Sequence, residues 1–288
     1  MTASELVPGR VGVQGLGLMG GSFAKAMHAG GREVYACNRT RSTLELAMID
    51  AVTGELTDEV IPTCELVILT TYPQSAVDWL EEKAPLFSPG SIVIDAVGVK
   101  RVVCERCFAL AEEHDFTFCG GHPMAGTQFS GYGHARANMF KGAPMVVVPP
   151  PRMDDIERAT MLERLKELLE PCGFGSYTLS TAAHHDEQIA YTSQLAHVVS
   201  NAYVKSPTAQ SHRGFSAGSY KDLTRVARLN ATMWCELFLD NADNLSKEIG
   251  LLIDELQQYK DAIDERDEAR LKALLEEGDH LKRKAEAR

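Results

Sequence analysis

Two short stretches carry residue types and spacings that could do chemistry. The first, "GLGLMG" (Gly15, Leu16, Gly17, Leu18, Met19 and Gly20), follows the apolar run "RVGVQ" and opens the helical spelling "GGSFAKAMHAG". Glycines so spaced between a strand and a helix permit a tight turn and let amides at the helix N-terminus approach a pyrophosphate, which makes this a dinucleotide site. The second, "GGHPMAGTQFSG" at residues 120 to 131, sets His122 between a glycine pair and a proline. Gly is costly inside regular elements and Pro lacks the amide hydrogen a ladder needs, so the stretch reads as a shaped loop at the end of the strand "FTFCGGH". A loop histidine also fits an ordinary surface turn. A nicotinamide cofactor, however, implies loss of hydride from an alcohol carbon, and some group must take the hydroxyl proton. Imidazole suits that task near neutral pH.

The end of the second strand bears on the cofactor. An acidic residue there would bind the ribose hydroxyl of NAD, whereas this chain has "NRTR", with Asn38, Arg39 and Thr40 ahead of Arg41. With no carboxylate to repel a phosphate and two guanidinium groups close by, the spelling favours NADP over NAD.

The first half of the chain alternates short apolar runs with amphipathic stretches. "RVGVQG", "EVYACN", "ELVILTT", "SIVIDAV", "FTFCGGH" and "PMVVVPP" read as strands, most of them separated by helical spellings. That alternation predicts an α/β fold, a doubly wound Rossmann-type domain with a mainly parallel sheet. After "SYTLS" no further strand run occurs. Ile189, Leu195, Val198, Val199 and Ala202 mark one helix, and Trp234, Leu237, Phe238, Leu245, Ile249, Leu252, Ile253 and Leu256 mark one long amphipathic helix. The expected division is therefore a nucleotide-binding domain over 1–180 and an all-helical domain over 181–288, whose last charged stretch is a solvated helix or a partly disordered tail.

Composition narrows the partners. A net charge of -11 disfavours nucleic acid and anionic lipid, and no stretch approaches the roughly 18 uninterrupted apolar residues of a membrane span. The N-terminal stretch lacks the basic and apolar regions of a secretory leader, so a cytoplasmic address is expected. Seven scattered cysteines suit reduced thiols. Cys104 and Cys107 form a lone CxxC inside a helical spelling and read as buried thiols rather than a zinc site, so no metal is expected.

Taken in order, "GLGLMGGS", "DAVGVK", "GGHPMAGTQFSG", "HHDEQIAYTSQLAH", "SYKDLTRVA" and "MWCELFLDN" resemble the prephenate and arogenate dehydrogenases of tyrosine biosynthesis over nearly the whole chain. The resemblance implies oxidative decarboxylation, with hydride passing to NAD(P)+ and carbon dioxide leaving as an aromatic product forms. It makes His122 the acceptor of the ring hydroxyl proton, His197 a substrate-binding residue and Arg225 the partner of a substrate carboxylate. A guanidinium fork is the right chemistry for that last task. It also implies a homodimer built through the helical domain, for which the apolar stripe of the long helix is suited.

The chain departs from the family pattern at four positions. Gly98 stands where many members have serine, Gln128 where an acidic residue is common, and Gln194 and Ala196 replace a His and a Pro. These leave prephenate and arogenate both open as substrate. Lys100 reads as a solvated surface lysine. Two other readings remain. A 3-hydroxyacid dehydrogenase of the hydroxyisobutyrate type shares "GLGLMG" but relies on a lysine in a glycine-containing helical motif, which residues 181 to 260 lack. A cofactor-binding module without catalysis would not need His122.

Overall fold

The computed structural model describes residues 5–127 and 129–287. Eight strands form one sheet: β1 (Val7–Gln14), β2 (Val34–Cys37), β3 (Gly54–Glu55), β4 (Cys64–Leu69), β5 (Ile92–Asp95), β6 (Thr117–Pro123), β7 (Pro144–Val148) and β8 (Ser176–Leu179), in the order β3-β2-β1-β4-β5-β6-β7-β8. Every neighbouring pair is parallel except β6 with β7. Crossover helices α1 (Leu18–Ala29), α2 (Arg41–Asp50), α3 (Pro73–Lys83), α4 (Arg101–His114) and α5 (Asp155–Leu168) cover it.

Alternation along each strand sends side chains to opposite faces. In β4, Leu66 and Ile68 join a core with Phe23 and Met27 of α1, Leu44 of α2 and Leu165 of α5. Val67 and Leu69 face the other way, onto Ala76 and Leu80 of α3 and Val103 and Cys107 of α4. The sheet is buried on both sides, which is why its central strands spell continuous apolar runs.

The rest is helical: α6 (Ala182–Ile189), a π-helical segment (Ala190–Leu195), α7 (Ala196–Tyr203), α8 (Gly218–Thr224), α9 (Ala231–Leu239), α10 (Ala242–Asp264) and α11 (Glu268–Glu286). The charged C-terminal stretch is thus a helix, and α11 has no buried residue. Leu237, Met233 and Trp234 of α9 pack into the core on the α3/α4 side, so the helical part docks on that face.

Three expectations need correcting. The segment around His122 is not a loop, because β6 continues through Pro123, with Gly120, Gly121, His122 and Pro123 paired to Val148, Val147, Val146 and Met145. Its glycines answer to crowding: a Cβ on Gly121 would lie 2.3 Å from the Asp95 carbonyl oxygen, and one on Gly120 would lie 2.6 Å from Cys104 Sγ. Second, the apolar stripe around Trp234 belongs to two helices, α9 and α10. The chain breaks at Asp240 and Asn241 because the fully buried Asn241 turns its amide to the Asp186 carbonyl and Gln194 Oε1, both at 2.8 Å. Third, Lys100 is not solvated but fully buried, with its ammonium on the Asp95 carboxylate. Cys104 and Cys107 are buried in α4, and burial pushes both thiols upward.

Candidate active site

The C-terminal ends of β1, β4, β5 and β6 form one rim, where doubly wound folds collect ligands. At β1, Gly15 takes a positive φ of 91° and Gly17 precedes the first turn of α1, where no side chain caps the helix. Free amides there leave a place for a phosphate. A Cβ on Gly20 would fall 1.9 Å from the Gly15 carbonyl oxygen, so only glycine lets α1 close onto the turn, whereas beside Gly17 the space is open. Thr70, at the end of β4, donates its hydroxyl to the Gln14 and Gly15 carbonyls at 2.9 and 2.8 Å. Asn38 accepts from Leu16 N at 2.9 Å, tying the end of β2 to the turn. The turn's chemistry and shape fit a dinucleotide pyrophosphate.

Beyond Asn38 the two arginines part company. Arg41 is held by Glu45 at 3.2 Å and Glu55 at 2.6 Å. Arg39 and Thr40 are exposed, and Arg39 has no ion-pair partner among the described residues.

His122 shares the strand face of Phe118 and Gly120, pointing toward α4 and the helical part. There its Nδ1 lies 2.8 Å from His185 Nε2, and His185 Nδ1 lies 2.8 Å from Asp186 Oδ1. The order of donors follows from the end of this chain. Asp186 accepts from Lys100 N at 2.7 Å and Arg101 N at 2.9 Å. Burial alone would raise this carboxyl, but the bonds from His185, Arg101 and Lys100 hold it below the usual carboxylate range, so it is ionised. An ionised carboxylate only accepts, so His185 Nδ1 carries a proton and, in the neutral ring, its Nε2 is a lone pair. His122 Nδ1–H donates to that lone pair, and His122 Nε2 is left bare. Burial, then the neighbouring His185 and Lys100, hold His122 well below an ordinary imidazole, so the ring is neutral at pH 7. A bare nitrogen on a neutral imidazole is a proton acceptor.

A second group lies further along the same helical run. His197 Nδ1 donates to the Ser193 carbonyl at 2.8 Å, and its ring lies 4.0 Å from that of Trp234, tilted by 31°. Burial and the charge of Arg225 lower its pKa, so Arg225 lies within electrostatic reach. Arg225 is exposed at the end of α8 and makes no ion pair with Asp222 or any other described residue. Asn201 on α7 donates to the Ala227 carbonyl at 3.0 Å, two residues beyond it. No hydrogen bond or ring contact joins His122 to His197 or Arg225. The two groups flank one turn after β5: Asp186 holds Lys100 N, and Leu237, one helical turn from Trp234, would lie 3.3 Å from a Cβ on Gly98.

Of the departures noted above, Gly98 is thus packed against Leu237. Gln194 is buried, donating to the Leu237 carbonyl at 2.8 Å and accepting from Asn241, so it braces the bundle. Ala196 is exposed, and Gln128 lies outside the described residues.

A family model for the nucleotide-binding domain of prephenate dehydrogenase matches residues 23–177, and one for its dimerization domain matches residues 181–277. The chain belongs to the prephenate dehydrogenase family. The first match begins at Phe23, so the glycine turn rests on its own geometry. A prephenate dehydrogenase of Bacillus subtilis is 27% identical over 265 residues, 88% of this chain and 70% of that protein. The crystal structure of the arogenate dehydrogenase of Synechocystis superposes with a TM-score of 0.78 at 29% identity, covering 96% of this chain and 99% of that one. The prephenate dehydrogenase from A. aeolicus, in complex with hydroxyphenyl propionate and NAD+, gives 0.82 at 23% identity over 99% of this chain and 100% of that one, a likeness of fold.

Sequence reasoning missed the contacts of His185, Asp186 and Asp95 and the burial of Lys100. A signal was present: "HHDEQI" sets a carboxylate beside a histidine, with Ile189 marking the apolar face of the same helix.

Proposed function

We propose that this chain oxidises and decarboxylates prephenate to 4-hydroxyphenylpyruvate in tyrosine biosynthesis, acting through His122, His197 and Arg225. The observation that carries the reading is the hydrogen-bonded chain His122–His185–Asp186, which engages His122 through Nδ1 and leaves Nε2 as its acceptor, on the rim that also holds the open glycine turn. When bound, a nicotinamide dinucleotide supplies the hydride acceptor. Gly15, Leu16, Gly17, Leu18, Met19 and Gly20 cradle its pyrophosphate, and Asn38, Arg39 and Thr40 meet the adenosine ribose.

His122 Nε2 accepts the proton of the ring hydroxyl. Arg225, an exposed guanidinium with no internal partner, meets a substrate carboxylate, and His197, fixed by Ser193 and Trp234, packs beside it. Because aromatisation drives the step forward, these residues chiefly position and polarise. NADP is favoured over NAD because Arg39 is free for a 2'-phosphate and no carboxylate ends β2, although Arg41 is already taken by Glu45 and Glu55.

Arogenate is the second reading for substrate, favoured by the likeness to the Synechocystis enzyme. We assign the nucleotide-binding domain to 1–180 and the helical domain to 181–288. Leu251, Ile253, Leu256 and Ile263 of α10 and Leu275 of α11 are exposed apolar side chains, which suits a homodimer through the helical domain. No helix among the described residues is long and apolar enough to cross a membrane, and a cytoplasmic address fits a biosynthetic enzyme without nucleic-acid or membrane partners. The test supplies prephenate or arogenate with NAD+ or NADP+ and follows nicotinamide reduction. Turnover with prephenate and NADP+ is expected, and no turnover of either substrate with either cofactor would overturn the reading.

A further inference from the structure

We propose that His185 and Asp186 act as positioning residues for the reacting base, fixing the tautomer of His122 and receiving the charge that His122 takes from substrate. The inference rests on the reading of His122 as proton acceptor.

The transfer balances atom by atom. The substrate hydroxyl proton bonds to His122 Nε2, and the proton already on His122 Nδ1 crosses the 2.8 Å gap to His185 Nε2. His185 is then an imidazolium whose Nδ1–H still donates to Asp186 Oδ1 at 2.8 Å, so the positive charge rests beside a carboxylate. His122 returns to neutrality in its other tautomer. The relay ends on the buried His185, backed by the fully buried Asp186, so it has no outlet. That suits this reaction. Prephenate carries two negative charges and the product one, carbon dioxide is neutral, and the cofactor loses one positive charge. No net proton is released, and the proton borrowed from the hydroxyl returns along the same path to the phenolate oxygen.

The surroundings leave the charge nowhere better. The groups facing this chain are Lys100 and its partner Asp95, Arg101 at the start of α4, and Asp240 near Asp186. Lys100 is fully buried, and its positive charge opposes a proton on either ring, but only His185 has a carboxylate at hydrogen-bond distance, that of Asp186, to offset it. Asp186 also caps α4 across the domain junction, through Lys100 N and Arg101 N. The base is therefore aligned only when the helical part is docked.

The test compares the wild-type protein with His185→Gln, whose amide oxygen can still accept from His122 Nδ1 but cannot carry the proton. In the cofactor-free protein labelled with 15N-histidine, wild-type His122 is expected to show a protonated Nδ1 and a bare Nε2. The pH profile of kcat/KM is expected to move its acidic limb to lower pH in the variant, with kcat down on the order of tenfold and KM little changed. Without a relay, loss of the His185 ring would only relieve its lowering effect on His122 and move that limb to higher pH. The opposite tautomer in the free protein, or a limb that stays in place or moves to higher pH, overturns the relay and leaves His122 as base untouched. Failure of the proposed reaction is distinguishable, since the wild-type protein would then turn over neither substrate.

Discussion

Replacing Lys100 with methionine keeps the volume of the side chain and removes its charge, and the surroundings set the size of the effect. Lys100 and Asp95 are both fully buried, with the ammonium on Asp95 Oδ2. Asp95 also accepts from Gly121 N on Oδ1 and Val97 N on Oδ2, both at 3.0 Å. Breaking a buried pair from one side costs about 3–5 kcal/mol, because the remaining charge is left uncompensated. The two amides that stay on Asp95 put Lys100→Met near the lower bound, about 3 kcal/mol. At about 2–4 °C per kcal/mol for a domain of this size, the melting temperature falls by about 6–12 °C. The double variant Asp95→Asn with Lys100→Met keeps a carbonyl oxygen for Gly121 N and buries no charge, so it recovers about 2 kcal/mol. Urea unfolding followed by circular dichroism measures both. A cost below about 1 kcal/mol for the single variant, or a double variant no milder than the single, would refute the assignment of Lys100 as the charge partner that Asp95 requires. Because Asp95 holds the residue before His122, activity in the surviving folded fraction reports on the placement of His122 as well.

Three further outcomes follow from the same geometry. His122→Asn is expected to lower turnover on the order of a hundredfold or more while leaving cofactor binding, followed by nicotinamide fluorescence, unchanged; turnover near wild type would remove His122 as base. Arg225→Leu removes a charge-assisted contact worth about 1.5–3 kcal/mol, so kcat/KM is expected to fall by roughly 10- to 150-fold with stability unaltered. Acid should weaken the fold before ordinary carboxylates titrate. His122 and His185 have folded pKa values lowered by burial, so between those values and the unfolded value near 6.5 the unfolded chain binds more protons and stability rises with pH. Going below pH 6.5 is expected to cost up to about 1.4 kcal/mol per pH unit for each of the two rings, with a smaller share from the half-buried His197. Urea midpoints that stay flat from pH 7 to 5.5 would contradict this.

Local chemistry carried much of the fold into view. The apolar runs of β4 and β5 are spelled that way because both sheet faces are covered, and the glycine turn is spelled by a contact within six residues of itself, Gly20 on the Gly15 carbonyl. The place of His122 near the end of a strand was legible from the apolar run that precedes it. The continuation of β6 through Pro123 was not, since its glycines answer to Asp95 and Cys104, which are distant in sequence. The break between α9 and α10 was hidden for a related reason. Periodicity records which residues face the core, and the apolar sets on both sides of Asn241 keep helical spacing, whereas the break is made by bonds to Asp186 and Gln194.

The strand and helix alternation, the glycine turn between β1 and α1 and the place of His122 at the end of β6 were legible in the amino-acid sequence, because each depends on neighbours within a few residues. The hydrogen-bonded state of His122 is set by the tertiary structure. Sixty-three positions separate His122 from His185, and eighty-five or more separate Asp186 from the amides that keep it ionised. A tautomer is set by whatever lies at hydrogen-bond distance, and here that is another domain.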